Sequence, residues 1–388
     1  MPFLCFEFKT GIMETTKKSK INWIELTHKL GENFEKRSSD YDKNGTFVFE
    51  NYEELKKHKF FSAAIPKEFG GGGITHAEMC NIIRIIANYC SSTALSFSMH
   101  QHLIAASVWK YRNQNMGEEM LRNVAAHQLV LISTGARDWL GSNGELKMNE
   151  GGYLFSGKKH FASQSVAGDV AVTSATYLNS SDEWQVLHFS VPMNSDGVSV
   201  ADDWDVMGMR ATGSQTIVFN EVFIPDSAIT LKRPKNDFHP VWDVVLTVAL
   251  PLIMSAYVGI AEKAMEIAIE KGKKYQRFNN HMPYMIGKLY NSMLSARCQW
   301  KAMYDLANNI DFKPDESITL DILTYKTNVG EATKQVVAEA MEAIGGQSFY
   351  RQNMLERLFR DVQASPFHPL PKWDQYVFTG KRLLKNNY

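Results

Sequence analysis

The chain has 388 residues, and its 42 lysine plus arginine residues balance 42 aspartate plus glutamate residues. This balance gives no reason to expect nucleic acid or a membrane surface as a partner, and the length predicts two or three domains. The four cysteines lack metal-ligand spacing and no uninterrupted apolar run reaches the length of a membrane span, so we expect a cytoplasmic protein without a bound metal.

Residues 20–128 are predicted to form an N-terminal α-helical domain, because apolar residues recur there at helical spacing. The glycine run at 70–73 lacks the Lys-Ser/Thr pair of a phosphate-binding loop, so we interpret it as a turn. His100 and His102 lie on one predicted helix. Two residues apart, they cannot share a helical face, so at most one faces a pocket, and a hydrogen-bonded core histidine is the alternative for either.

Residues 129–230 change to a period of two, with turn-rich segments between the strands, which predicts a middle antiparallel β-barrel domain. Residues 231–388 return to long helical patterns and predict a C-terminal four-helix bundle. The expected fold class is therefore α+β, in the order helical, β, helical.

The segment WDVMGMRATGSQTIVFNEVFIPD, residues 204–226, combines a glycine-punctuated loop with an alternating strand. It resembles the segment that closes the middle β-domain of the acyl-CoA dehydrogenase superfamily of flavoproteins, and the resemblance extends from about residue 60 to about residue 380. It implies a flavin-dependent oxidoreductase with FAD (or FMN), a homotetramer, and a small-molecule substrate such as an acyl-CoA. The implied redox partner is an electron-transfer flavoprotein or a flavin reductase.

The resemblance also implies which residues hold the flavin. Leu131, Ser133 and Thr134 match the strand that contacts the ring edge, while Phe161 would cover the ring and Ser163 would reach its reactive nitrogen. A strand with alternating Phe and Ser needs no cofactor, which is the alternative interpretation. Contacts from a neighbouring subunit to the phosphates and adenosine are implied for three further residues, Arg277, Gly345 and Gly346.

Acyl-CoA dehydrogenases remove a substrate proton with a glutamate, and both positions where the family places it are occupied by other residues here. These positions are Pro369, next to His368, and Ala249. His368, Ser163 and one of His100 or His102 instead resemble the flavin-dependent monooxygenase branch of the same fold, which uses reduced flavin and O2.

Three functions therefore stay open: an acyl-CoA dehydrogenase-like enzyme as the default, a monooxygenase, and a catalytically inactive interaction subunit. In the first, His368 would be the base. A structural cap on the last helices is the alternative role for that histidine.

Overall fold

Five helices form the N-terminal part of the protein. The computed structural model describes residues 21–135, 140–275 and 280–385. Side-chain caps start two of the helices: Asn22 accepts from the Glu25 N–H, and Thr75 forms a reciprocal capping box with Glu78. The helices are α1 (Trp23–Asn44), α2 (Phe49–Lys57), α3 (His76–Tyr89), α4 (Ser91–Gln114) and α5 (Glu118–His127).

Eight strands then form one sheet: β1 (Leu131–Ser133), β2 (Glu145–Asn149), β3 (Gly152–Lys159), β4 (Val170–Leu178), β5 (Trp184–Pro192), β6 (Val198–Val200), β7 (Ile217–Pro225) and β8 (Leu231–Pro234). The strand order is β6-β7-β3-β2-β4-β5-β8, with β1 beside β4. The β1–β4 and β2–β4 pairs are parallel. The expected middle β-domain is confirmed, but its sheet is mixed and not closed, so it is not strictly an antiparallel barrel. Strand β8 also follows the predicted domain boundary at residue 230.

Five helices follow the sheet: α6 (Val241–Tyr275), α7 (Met282–Leu306), α8 (Glu316–Ile344), α9 (Met354–Val362) and α10 (Lys372–Lys385). Helices α6, α7 and α8 pack on one another, and the short α9 completes the bundle against α6 and α8. The predicted order of helical, β and helical parts is confirmed.

Helix α6 is the centre of the helical core. By length and composition alone it could cross a membrane, yet nearly all of its apolar stretch is buried inside the protein. It packs against α3 and α4 as well as α7 and α8. At Gly259 a Cβ atom would lie 2.2 Å from the Arg84 carbonyl oxygen, so the glycine permits the close crossing of α3. The apolarity of α6 is therefore that of a core helix.

Residues 204–216, which we call the motif loop, connect the sheet to both helical parts. The Met209 N–H donates to Asp361 Oδ1 at 2.6 Å, and Arg360 donates to the Met207 carbonyl at 2.9 Å. Arg360 also binds both carboxylate oxygens of Asp42 on α1, at 2.8 and 2.6 Å. The Arg360–Asp361 pair thus joins α1, the motif loop and α9.

Gly208 makes this junction possible, since a Cβ there would lie 2.2 Å from the Arg360 carbonyl oxygen. We expect Gly208→Ala to destabilise the protein by about 1–3 kcal/mol, the usual cost of overpacking, and to lower its midpoint of thermal unfolding. Gly287→Ala is the matched control, because nothing lies within 4 Å of the added Cβ on α7. Equal midpoints for the two variants would contradict the close contact.

Candidate active site

A cavity of about 620 Å³ lies where the motif loop, α4, α6 and the segment after α9 meet. Such junctions between domains are frequent ligand sites. The polar side chains of its wall are Ser133, Ser163, Thr212, Ser214, His102 and His368, together with Arg360 and Gln363. The apolar part of the wall consists of Leu95, Met99, Phe161, Trp204, Val206, Met207, Met209, Trp242, Val245, Leu246, Ala249, Leu250, Ile253, Ala364, Phe367, Pro369 and Pro371.

The described part of the cavity wall contains no aspartate or glutamate. Ala249 and Pro369, which occupy the two positions where the family resemblance would place a glutamate, both line it. Arg360 contributes a charge, but its guanidinium is bound by Asp42 and Glu356. The described wall therefore offers no carboxylate that could act as a base.

Phe161 presents a flat apolar surface to this cavity. The residue is 52% exposed, and its ring stands edge-on to Trp204 with 6.0 Å between the centroids. Its backbone has a φ of 57°, a left-handed conformation that is costly for a bulky residue and is concentrated at functional sites. Phe161 lies where a planar ring could stack, which fits the position implied for it.

Ser163 begins a chain of three hydroxyl groups. Its Oγ lies 2.9 Å from Ser214 Oγ, which lies 2.7 Å from Thr212 Oγ1, and Thr212 donates to the Met209 carbonyl at 2.9 Å. Each hydroxyl has one proton. Because Thr212 donates to the carbonyl, Ser214 must donate to Thr212 and Ser163 must donate to Ser214. Ser163 therefore presents only lone pairs to the cavity.

The strand implied to contact the flavin edge contributes fewer residues to the cavity wall than expected. Of its three residues, Ser133 lines the cavity, whereas Leu131 and Thr134 are not among the described lining residues. The Leu131 N–H donates to His100 Nδ1 at 3.0 Å, and its carbonyl accepts from Gln164 Nε2 at 2.7 Å. Thr134 Oγ1 donates to Thr173 Oγ1 at 2.8 Å. These groups of Leu131 and Thr134 contact other protein groups, and the flavin contacts implied for the two residues stay a prediction.

His100 and His102 have different environments. His100 is fully buried, accepts from the Leu131 N–H, and has its Nε2 2.8 Å from the Phe61 carbonyl, so the catalytic role proposed for it is corrected to a structural one. His102 lines the cavity, and its Nε2 has no hydrogen-bond partner within the described ranges. Burial lowers the pKa of His100 to about 3 and that of His102 to about 4, so both rings are neutral at neutral pH.

His368 lines the cavity from the segment that follows α9. Its Nε2 lies 2.5 Å from the hydroxyl of Tyr257, a fully buried residue of α6. Burial, with a smaller contribution from the charge of Lys326, lowers the pKa of His368 to about 3. The ring is a poor proton acceptor at neutral pH, which argues against the catalytic base expected in a dehydrogenase.

The residues implied to reach a neighbouring flavin lie elsewhere. Gly345 and Gly346 follow α8 on the surface, and apart from their chain neighbours no described residue lies within 4 Å of an added Cβ. Neither glycine is part of the described cavity wall. Gly345 ends the helix as predicted. Arg277 lies outside the described residues, so its implied role stays a prediction.

Tyr257 and Lys326 lie behind the cavity wall, where they contact His368 and the segment around it, and the sequence did not indicate either. Each is a polar residue within a long helix, where a sequence gives no information about what its side chain contacts. A Tyr in the middle of the apolar α6 was the available signal. No group of three or more potential metal ligands occurs within residues 21–135, 140–275 and 280–385.

Comparison with known families shows to which family the chain belongs. The model for the N-terminal domain of acyl-CoA dehydrogenases matches residues 28–128, and the model for their C-terminal domain matches residues 244–368. The chain therefore belongs to the acyl-CoA dehydrogenase family. It is similar to the acyl-CoA dehydrogenase-like protein YdbM of Bacillus subtilis, with 25% identity over 367 residues that cover 89% of this chain and 92% of YdbM.

Solved structures of the same fold include a nitrososynthase and a monooxygenase. A nitrososynthase from Micromonospora carbonacea superposes with a TM-score of 0.84 at 22% identity, covering 93% of this chain and 95% of the other. The FMN-bound dibenzothiophene monooxygenase TdsC from a Paenibacillus species gives a TM-score of 0.81 at 16% identity, with coverages of 94% and 98%. At these identities the likeness establishes the fold.

The buried neutral histidines make stability depend on pH. Burial lowers the pKa of His76 and His102 to about 4 and that of His100 to about 3, below the usual value near 6.5. The unfolded chain binds these protons first. The free energy of unfolding therefore keeps its full value above about pH 6.5. It falls between pH 6.5 and pH 4, by up to about 1.4 kcal/mol per pH unit for each histidine.

Urea unfolding across this range checks the dependence. His100→Gln should reduce this slope, the change in unfolding free energy per pH unit, by one proton relative to the wild type. An unaltered slope in His100→Gln would contradict a buried neutral ring.

Proposed function

We propose that this protein is a flavin-dependent monooxygenase that receives reduced flavin from a separate reductase and oxidises an apolar small molecule. The observation that carries the proposal is the cavity wall without a carboxylate in its described part. Dehydrogenation of an acyl-CoA needs a base for the substrate proton. Oxygenation needs instead a dry site with hydrogen-bonding groups, which His102, His368 and Ser163 supply.

The cavity fits a flavin. Phe161 offers an aromatic face, Ser133 and Ser163 offer hydroxyl oxygens, and most of the remaining wall is apolar. Because Ser163 presents only lone pairs, it suits a ligand N–H, as in reduced flavin. The activation of O2 by the two electrons of reduced flavin is the chemistry that the cofactor supplies, with one oxygen atom entering the substrate and the other leaving as water.

The walls also favour a neutral, apolar substrate. Trp204, Trp242 and Phe367 line the cavity with aliphatic side chains between them. The described cation at the wall, Arg360, is already bound by Asp42 and Glu356 and cannot neutralise the diphosphate of coenzyme A without losing those contacts. An aromatic or heteroaromatic compound suits these walls better than an anionic thioester.

A homotetramer, a flavin reductase as partner and a cytoplasmic location complete the proposal. FAD and FMN both suit it, since Gly345 and Gly346 would contact the flavin of a neighbouring subunit and need not line the cavity of their own chain. Light scattering during gel filtration measures the assembly, and parallel titrations with FMN and FAD compare the cofactors.

Stopped-flow absorbance tests the reaction class. Protein loaded with oxidised flavin should keep its absorbance when mixed anaerobically with a panel of acyl-CoAs. Protein loaded with photoreduced FMN should react with oxygenated buffer at a rate different from that of free reduced FMN. Bleaching by any acyl-CoA would establish a dehydrogenase instead. No response in either experiment would favour the interaction subunit.

Phe161→Ala should weaken the binding of FMN about tenfold, because an aromatic face stacked on a planar ligand contributes about 1 kcal/mol beyond its buried area. Phe223→Ala is the matched control, since Phe223 is similarly exposed (50% against 52%) and lies on β7 outside the described cavity wall. Fluorescence titration with FMN measures both. Equal affinities would place the flavin elsewhere.

A further inference from the structure

We propose that Tyr257 is a positioning residue that fixes the tautomer of His368, so that the histidine presents its Nδ1–H to the cavity as a permanent hydrogen-bond donor. The inference deepens the proposed function, and the role of this donor in the reaction rests on that function. The tautomer itself follows from the geometry of Tyr257, His368 and Lys326.

The first step is the direction of the Tyr257–His368 hydrogen bond. Tyr257 lies in the middle of α6 with no exposed surface, and within the described ranges its hydroxyl has one partner, His368 Nε2 at 2.5 Å. Burial, with a smaller contribution from the negative charge of Asp361, raises the pKa of Tyr257 well above its usual value of 10, so the hydroxyl keeps its proton. A buried hydroxyl with one available acceptor donates to it. Nε2 therefore carries the lone pair.

The second step is the charge of the ring. A neutral imidazole has one N–H, and since Nε2 accepts, the proton lies on Nδ1. Protonation of both nitrogens would place the Nε2–H against the Tyr257 O–H and a cation near Lys326. Lys326 Nζ donates to the Leu370 carbonyl at 2.7 Å and is 3.4 Å from the Pro366 carbonyl. This lysine holds the segment on both sides of His368 and disfavours the imidazolium by its charge.

The third step is where the proton points. His368 is part of the cavity wall, and no described residue forms a hydrogen bond with its Nδ1. The Nδ1–H is thus available to a ligand oxygen. A hydroxyl that fixes a histidine tautomer through the opposite ring nitrogen is a known device for orienting imidazole. Tyr257 acts on the site through His368 and is buried away from solvent itself.

Nuclear magnetic resonance of protein with 15N-labelled histidine, without flavin, measures the tautomer directly. At neutral pH the His368 signals, assigned with His368→Gln, should show a protonated Nδ1 and an unprotonated Nε2. Tyr257→Phe should shift them towards the Nε2-protonated form. Tyr89→Phe is the matched control, because it removes the hydroxyl 3.0 Å from His28 Nδ1, a different Tyr–His pair. A protonated Nε2 in the wild type overturns the inference without any variant.

A double-mutant cycle tests the consequence. With photoreduced FMN bound, Tyr257→Phe should release hydrogen peroxide about tenfold faster than the wild type on mixing with oxygen, the effect of one lost hydrogen bond. The pair Tyr257→Phe/His368→Phe should release it no faster than His368→Phe alone. Additive effects overturn the action of Tyr257 through His368. If acyl-CoA bleaches the flavin, the proposed function fails, while the tautomer measurement still decides the role of Tyr257.

Discussion

The contact between Gly208 and the end of α9 is the constraint on which the site depends. The backbone of the motif loop approaches the Arg360 carbonyl so closely that a side chain at Gly208 has no space. The adjacent Met209 N–H is held by Asp361. These contacts fix the sheet against the helical core, and Ser214 and Thr212 line the same cavity as the segment that carries His368. The cavity is the space left between surfaces joined at this point.

Burial then determines the chemistry that remains possible inside. Charged side chains are costly in an apolar cavity. Burial therefore lowers the pKa of His102 and His368, the two histidines of the described wall, and both stay neutral at neutral pH. Arg360 keeps its charge because Asp42 and Glu356 balance it. The described wall therefore offers hydrogen-bonding groups and apolar surface, and proton transfer to its two histidines is disfavoured. This is the physical difference from a site built around a glutamate base.

The order of domains and the candidate positions of Phe161, Ser163 and His368 could be predicted from the sequence, because periodicity and one long motif carry that information. The closure of the sheet could not, since alternation shows which residues face inward and not which strands pair. The difference between His100 and His102 depends on the Leu131 and Phe61 backbone groups.

These partners come from distant parts of the chain, and no local pattern contains them. Tyr257 was missed for the same reason, since its partner is 111 residues away.

The hydroxyl chain and the Tyr257–His368 pair together give the cavity one fixed hydrogen-bond acceptor and one fixed hydrogen-bond donor. Thr212 donates to a backbone carbonyl, which orients Ser214 and then Ser163, so that this wall accepts hydrogen bonds. The other wall donates, because Tyr257 leaves the proton of His368 on Nδ1. A hydroxyl alone can serve as donor or acceptor, and so can a neutral imidazole. In both cases a buried group behind the wall residue removes that freedom. The site therefore discriminates between ligands by the direction of their hydrogen bonds, which apolar walls cannot do.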